Sequence, residues 1–211
     1  MKRIFQLAVL LAMCIAAHVE IKAQSNQLSD EMSLFLQSCQ LLNQGIVAKD
    51  EALVADAAEG FGDLNIVELE EYNVDITPTS SLTFPTQQYN SEFCDELRKS
   101  QFVIIERAPL AVNRTLMDDA TINTISRNLS PASEVKLTMK GAGEMELSLT
   151  AADPDALQLM VTTGGKEIEV SKDSSTGFYF AKWDIDTDEE DFSVTISNPG
   201  DTPVAFAVAV K

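Results

Sequence analysis

Six carboxylates crowd into one short stretch near the C-terminal end of the chain: Asp184, Asp186, Asp188, Glu189, Glu190 and Asp191. Hard divalent cations take several carboxylate oxygens at once, so the opening DxDxD resembles the start of a calcium loop. An EF-hand would then need a turn-making Gly where Glu189 stands and a bidentate Glu where Thr195 stands. The run therefore reads two ways. Asp184 and Asp186 face water along a strand whose Trp183 and Ile185 point inward, or Asp184, Asp186 and Asp188 hold calcium in another geometry. Asp153 and Asp155 would join such a site if their loop lies nearby. No other cofactor is implied.

The remaining reactive side chains are few. His18 is the only histidine, and it lies in a segment built like an export signal. Lys2 and Arg3 precede an apolar run from Ile4 to Ala17, too short to span a bilayer, and Ala23 offers a small residue for cleavage ahead of Gln24. Loss of His18 with that segment removes Ser-His-Asp and Cys-His nucleophilic sites and His-based metal centres. The rival reading is a lipoprotein signal at Leu11-Ala12-Met13-Cys14, with the bulky Met13 where a small residue belongs. Cys39 and Cys94 remain. In an exported chain they can form one disulfide, which would stabilise by roughly 4 kcal/mol, or they are separate buried thiols.

Charge narrows the partners. The chain of 211 residues carries −18, and removing Lys2, Arg3, Lys22 and Glu20 leaves 12 basic and 32 acidic side chains, a charge of −20. Such a surface repels nucleic acid and anionic lipid heads, and it suits solubility outside the cell, divalent cations or basic partners. Phe178, Tyr179, Phe180 and Trp183 could stack on a carbohydrate. Yet Tyr179, Ala181, Trp183 and Ile185 share one strand face, as a core requires, which leaves Phe178 and Phe180 to pack under a helical region. Paired carboxylates for glycoside hydrolysis would need a sugar cleft, and one Trp and three Tyr are sparse material for it. Gly141-Ala142-Gly143 lacks the third glycine of a nucleotide loop and leads into a strand.

The elements that must position these residues fall into a helical part and a β part. Leu28, Met32, Phe35, Cys39, Leu42 and Ile46 repeat at four- and three-residue steps, one stripe of a helix capped by Ser29 or Asp30 and ending near Asn43 and Gly45. A second helix starts at Asp50 and stops at Gly60 or Gly62, making a helical hairpin. Thr77 to Pro85 is a connector, Glu92 to Lys99 a short helix capped by Asn90 or Ser91, and Phe102 to Ile105 a strand. Asn113-Arg114-Thr115 and Asn128-Leu129-Ser130 match the glycosylation acceptor pattern.

From 134 onward apolar residues alternate with polar ones. Val135 to Met139 and Met145 to Leu149 flank a turn at Gly141-Ala142-Gly143. Asp153-Pro154-Asp155 turns the chain again. Leu157 to Val161 and Ile168 to Val170 flank the hairpin signal Gly164-Gly165. Gly177 to Ile185 is the aromatic strand. Asp191 to Val210 reads as a C-terminal hairpin turning at Asn198 to Asp201. About seven short strands at regular spacing are the signature of a sandwich or barrel.

The stretches Asp155-Ala156-Leu157-Gln158-Leu159, Gly177-Phe178-Tyr179-Phe180 and Phe192-Ser193-Val194-Thr195-Ile196-Ser197-Asn198 resemble the small β-sandwich modules of secreted bacterial proteins, the pre-peptidase C-terminal type. That resemblance covers residues 134–211 and implies a ligand-binding or spacer unit. The expected fold is α+β, a helical hairpin followed by a mainly antiparallel seven-stranded β-sandwich. Its parts are a signal at 1–23, a mainly helical region at 24–100, a strand and linker at 101–133, and the sandwich at 134–211. The expected function is an exported, non-catalytic binding or structural module of the cell envelope or exterior, with a protein or carbohydrate ligand. The alternatives are a small carboxylate-based or metal-assisted hydrolase, and a periplasmic accessory or inhibitor docking through the helical pair.

Overall fold

Ser29 caps the first helix, α1, Asp30–Ala48, by accepting a hydrogen bond from the Met32 N–H at 3.3 Å. The computed structural model describes residues 28–69, 73–77, 87–101 and 121–211, with backbone only at 76–77, 101 and 186–189. The signal segment with Cys14 and His18, the strand expected over 102–105, the acceptor triplet at 113–115 and nearly all of the connector over 77–85 lie outside the described residues. Lys49, in the left-handed region at φ 53°, ends α1, and Asp50 caps α2, Glu51–Gly62. The third helix, α3, spans Ser91–Gln101, with Asn90 Oδ1 accepting from the Phe93 N–H at 2.8 Å. Among the described residues no helix is long and apolar enough to cross a membrane.

The helix α1 outruns its expected end at Asn43 and Gly45 because both residues are used sideways. Asn43 donates its amide to Ala151 O at 3.1 Å. Gly45 sits where α2 passes: a Cβ there would lie 2.7 Å from Val54 Cγ2 and 3.0 Å from the Val54 nitrogen. Gly60, on α2, leaves no room for a Cβ beside the Ser38 hydroxyl of α1. The two glycines let the helix backbones approach closely.

Among the described residues nine strands form one mostly antiparallel sheet. They are β1, Asn65–Glu68; β2, Asn73–Thr77; β3, Thr121–Leu129; β4, Ser133–Ala151; β5, Gln158–Thr163; β6, Lys166–Ile168; β7, Ser171–Lys172; β8, Tyr179–Asn198; and β9, Val204–Val210. The order is β1-β3-β9-β4-β8-β5-β6, with β2 also on β4 and β7 on β8; β1 runs parallel to β3. The strands β4 and β8, 19 and 20 residues long, run through two halves of the sheet. Residues 133–141 of β4 pair with β2 and with the end of β8, whereas residues 143–149 pair with the start of β8 and, from Leu147, with β9. Leu137, Met139, Phe192 and Val194 of one half share a buried cluster with Leu147, Trp183, Phe206 and Val208 of the other. The sheet thus folds over its own inner face, with strands that change layer at a bulge.

Three expectations are corrected by this sheet. Gly141-Ala142-Gly143 does not turn the chain back; the register slips between Gly141 and Gly143 and β4 continues, because Gly143 at φ 69° permits a kink within a strand. The aromatic strand and the Phe192 strand are one strand, β8, so seven separate strands are not what forms. The C-terminal hairpin is absent as well, since β9 pairs with β3 and β4 and not with β8. Asn198 carries the chain across: its buried amide donates to Leu129 O, Ser130 O and Thr202 O, and its Oδ1 accepts from Gly200 N. The sheet also takes β1, β2 and β3 from ahead of residue 134. The hairpin at Gly164-Gly165 does form, joining β5 to β6 with both glycines at positive φ.

A second buried cluster lies on the opposite face. Met32, Phe35, Cys39 and Leu42 of α1 meet Val54, Ala57 and Phe61 of α2, Cys94 and Leu97 of α3, and Ile122, Phe178, Ala207 and Ala209 beneath. The stripe expected on α1 is the face that packs, and Phe178 lies under the helices as its parity required.

Candidate functional site

The helix layer covers β9 and the second half of β4 and stops short of the outer end of β3. There a cleft of about 350 Å³ opens. Its apolar floor is Phe61 from the end of α2 with Leu64 and Ile66 from the chain entering and forming β1. One wall is the capped start of α3, with Gln88, Asn90, Ser91 and Glu92. The other is the sheet, with Glu68, Thr124, Ser126 and Arg127. Among the described residues β1 pairs with the edge of β3 as far as Thr124. Arg127 crosses that edge, donating to Ser126 O at 2.7 Å and pairing with Glu68 at 3.1 Å.

A different polar cluster pins the helix layer to the sheet. Glu146 is 2% exposed, yet charged side chains are rarely buried without partners. Its carboxylate accepts from Ser29 N at 2.8 Å, Ser29 Oγ at 2.6 Å and Lys182 Nζ at 3.1 Å. Lys182 also reaches Glu144 at 2.8 Å, a contact that holds its ammonium above the usual range. Lys211 exchanges backbone hydrogen bonds with Glu146 and pairs through Nζ with Glu31 at 2.7 Å. The same Ser29 hydroxyl that caps α1 therefore donates to a buried carboxylate of β4. This cluster is an anchor: every oxygen named is engaged within the fold.

The sequence-expected residues scatter. Asp184 is exposed and lies opposite Glu144 in the β4–β8 register. The backbones of Asp186 and Asp188 lie in β8 where its pairing with β4 slips, and their side chains lie outside the described residues. Asp155 is engaged by Lys172 at 2.9 Å. Among the described residues no three His, Cys, Asp or Glu side chains are grouped to hold a metal ion.

Cys39 and Cys94 both reach the helical core, and both are buried free thiols, not the bridge that two cysteines in an exported chain suggest. Each side chain serves as a small apolar filler between α1, α3 and the sheet. Burial pushes the Cys39 thiol up and raises Cys94 to about 12. Neither is a nucleophile near neutral pH. Cys39 and Cys94 are expected to resist iodoacetamide in the native protein and to take up one equivalent each once it is unfolded without reductant. A bridged pair would take up none, measured by intact mass.

Trp183 and Tyr179 are not a sugar platform. Trp183 is buried edge-on against Phe192, with centroids 5.3 Å apart, and Tyr179 is half-buried against the same cluster and donates to Leu157 O at 2.8 Å. The cleft residues were missed because they come from short, mixed stretches with no period. The signal that could have found Glu146 is a lone acid in the otherwise apolar and hydroxyl-bearing stretch 145–151.

No family model matches the chain, and no curated protein matches it. Among solved structures it is similar to the Yersinia pseudotuberculosis-derived mitogen, with 17% identity and a TM-score of 0.33, over 43% of this chain and 84% of that one. The likeness is too slight to transfer fold or activity.

Proposed function

We propose that the chain is an exported, non-catalytic binding module and that the cleft between α2, α3, β1 and β3 receives its ligand. The observation that carries this reading is the cleft itself: a concave site of about 350 Å³ with an apolar floor and polar walls. Helices α1 to α3 and the sheet, with their two buried clusters, give it rigid support. Its chemistry supports binding over turnover. The hydroxyls of Ser91, Thr124 and Ser126 have no imidazole to activate them, because the only histidine of the sequence is His18. Export rests on Lys2, Arg3, the apolar run after them and Ala23. The role agrees with the ligand-binding or spacer unit that the sandwich resemblance implies.

The test is a screen of the ¹⁵N-labelled protein against a library of small neutral fragments, read by amide shifts. Shifts gathered at Ile66, Glu68, Asn90 and Ser126 are expected. Shifts gathered elsewhere, or none at these residues, would overturn the assignment of the cleft. An intact mass from the exporting cell that retains residues 1–23 would overturn export by this signal.

A further inference from the structure

The cleft has a second property that its volume does not convey: one of its walls ends in a strand whose outer edge is free among the described residues. Among the described residues β1 has a single neighbour, β3. Leu69 N donates to Thr124 O at 2.9 Å, and Val67 O accepts from Thr124 Oγ1 at 3.4 Å. The peptide groups of 67 and 69 therefore face β3. Since N–H and C=O leave a strand on alternating sides, those of Ile66 and Glu68 face outward. These same two residues line the cleft.

Charge selects what can lie there. The cleft carries the carboxylates of Glu68 and Glu92 against one guanidinium, and the pairing of Arg127 with Glu68 leaves Glu92 in excess. Around it the whole chain carries −18. We propose, resting on the cleft being the binding site, that its ligand is a basic extended polypeptide segment. Such a segment adds a strand of four or five residues to the free edge of β1. Alternate side chains then drop onto Leu64 and Ile66, and its lysines or arginines meet Glu68 and Glu92. The field of the acidic chain speeds the encounter, so affinity and on-rate both fall with salt.

The probe is a blocked octapeptide of alternating Lys and Val, titrated into the full ¹⁵N-labelled protein. Three companions go with it: the same peptide N-methylated at alternate amides, a Glu–Val octapeptide, and the neutral fragments of the previous screen. Saturable shifts at Ile66, Glu68, Asn90 and Ser126 are expected from the Lys–Val peptide alone among the peptides. Glu68→Gln with Glu92→Gln is expected to weaken it about tenfold. Asp184→Asn with Asp191→Asn removes the same charge elsewhere and is expected to leave it unchanged.

Equal loss in the two double variants, equal binding of the N-methylated peptide, or binding of the Glu–Val peptide would each overturn the inference. Neutral fragments that still shift the cleft would then leave the cleft standing as the binding site. Silence of every probe at those residues would overturn both.

Discussion

Two rows of side chains run back to back along β9. Val204, Phe206, Val208 and Val210 point into the fold between the halves of the sheet, and Ala207 and Ala209 point at the helices. The second half of β4 repeats the division: Met145, Leu147 and Leu149 face inward, while Glu146, Ser148 and Thr150 are buried on the helix side. The inner space must be filled by the side chains of two β layers. The helical space is filled from above by Met32, Phe35 and Leu42, so the sheet beneath contributes small residues. Size distinguishes the two faces, and so does polarity, since Glu146, Ser148 and Thr150 all lie on the helix side.

The sharpest way to break this comparison is to reverse the sizes. Phe206→Ala on the inner face is expected to cost about 3–5 kcal/mol, by the lost transfer energy and the cavity left behind. Ala207→Leu, its neighbour on the helix face, is expected to cost about 1–3 kcal/mol by overpacking. Urea unfolding measures both. If Ala207→Leu proved neutral, the helices would not be seated closely on β9, and size would not divide the faces.

The same contrast explains what could be read from the sequence. The stripe on α1, its Ser29 cap and the shared face of Ala181, Trp183 and Ile185 were legible because each depends on local period. The partner of β9 was not. A strand apolar on both faces is a central strand, and the alanines between the valines carry that message, but period two alone suggests a half-buried hairpin arm. Gly141 and Gly143 read as a turn because glycine serves a kink and a reversal equally well. The cleft was illegible for another reason. Phe61, Glu68, Asn90 and Arg127 are brought together by β1 lying parallel on β3, a pairing between segments more than fifty residues apart.

The helix layer is also fastened differently from the inner core, by few polar contacts at its start. Ser29→Ala removes the cap of Met32 N and one of the donors to buried Glu146, and is expected to cost about 1–2 kcal/mol. Combining it with Glu146→Gln should cost less than the sum of the two changes, because both act on one hydrogen-bonded unit. Strict additivity in that cycle would show that the cap and the carboxylate act independently.

The smallest expected effect separates the two layers by pH. Glu31 sits in the first turn of α1, and the hydrogen bond from Lys211 is the chief cause holding its carboxyl below the ordinary value of 4.5. A backbone hydrogen bond adds to that and burial opposes it. A carboxyl lowered on folding contributes stability above its unfolded value and loses it as pH falls through the folded one. Glu31→Gln is therefore expected to lower Tm slightly at pH 7, and the gap should close as pH drops below about 4.5. High salt should narrow it as well, since the pair is partly exposed. Phe206→Ala, which acts through packing alone, should keep its gap across the same range. If the Glu31→Gln gap were equally indifferent to pH, Lys211 would hold α1 by its stem and not by its charge.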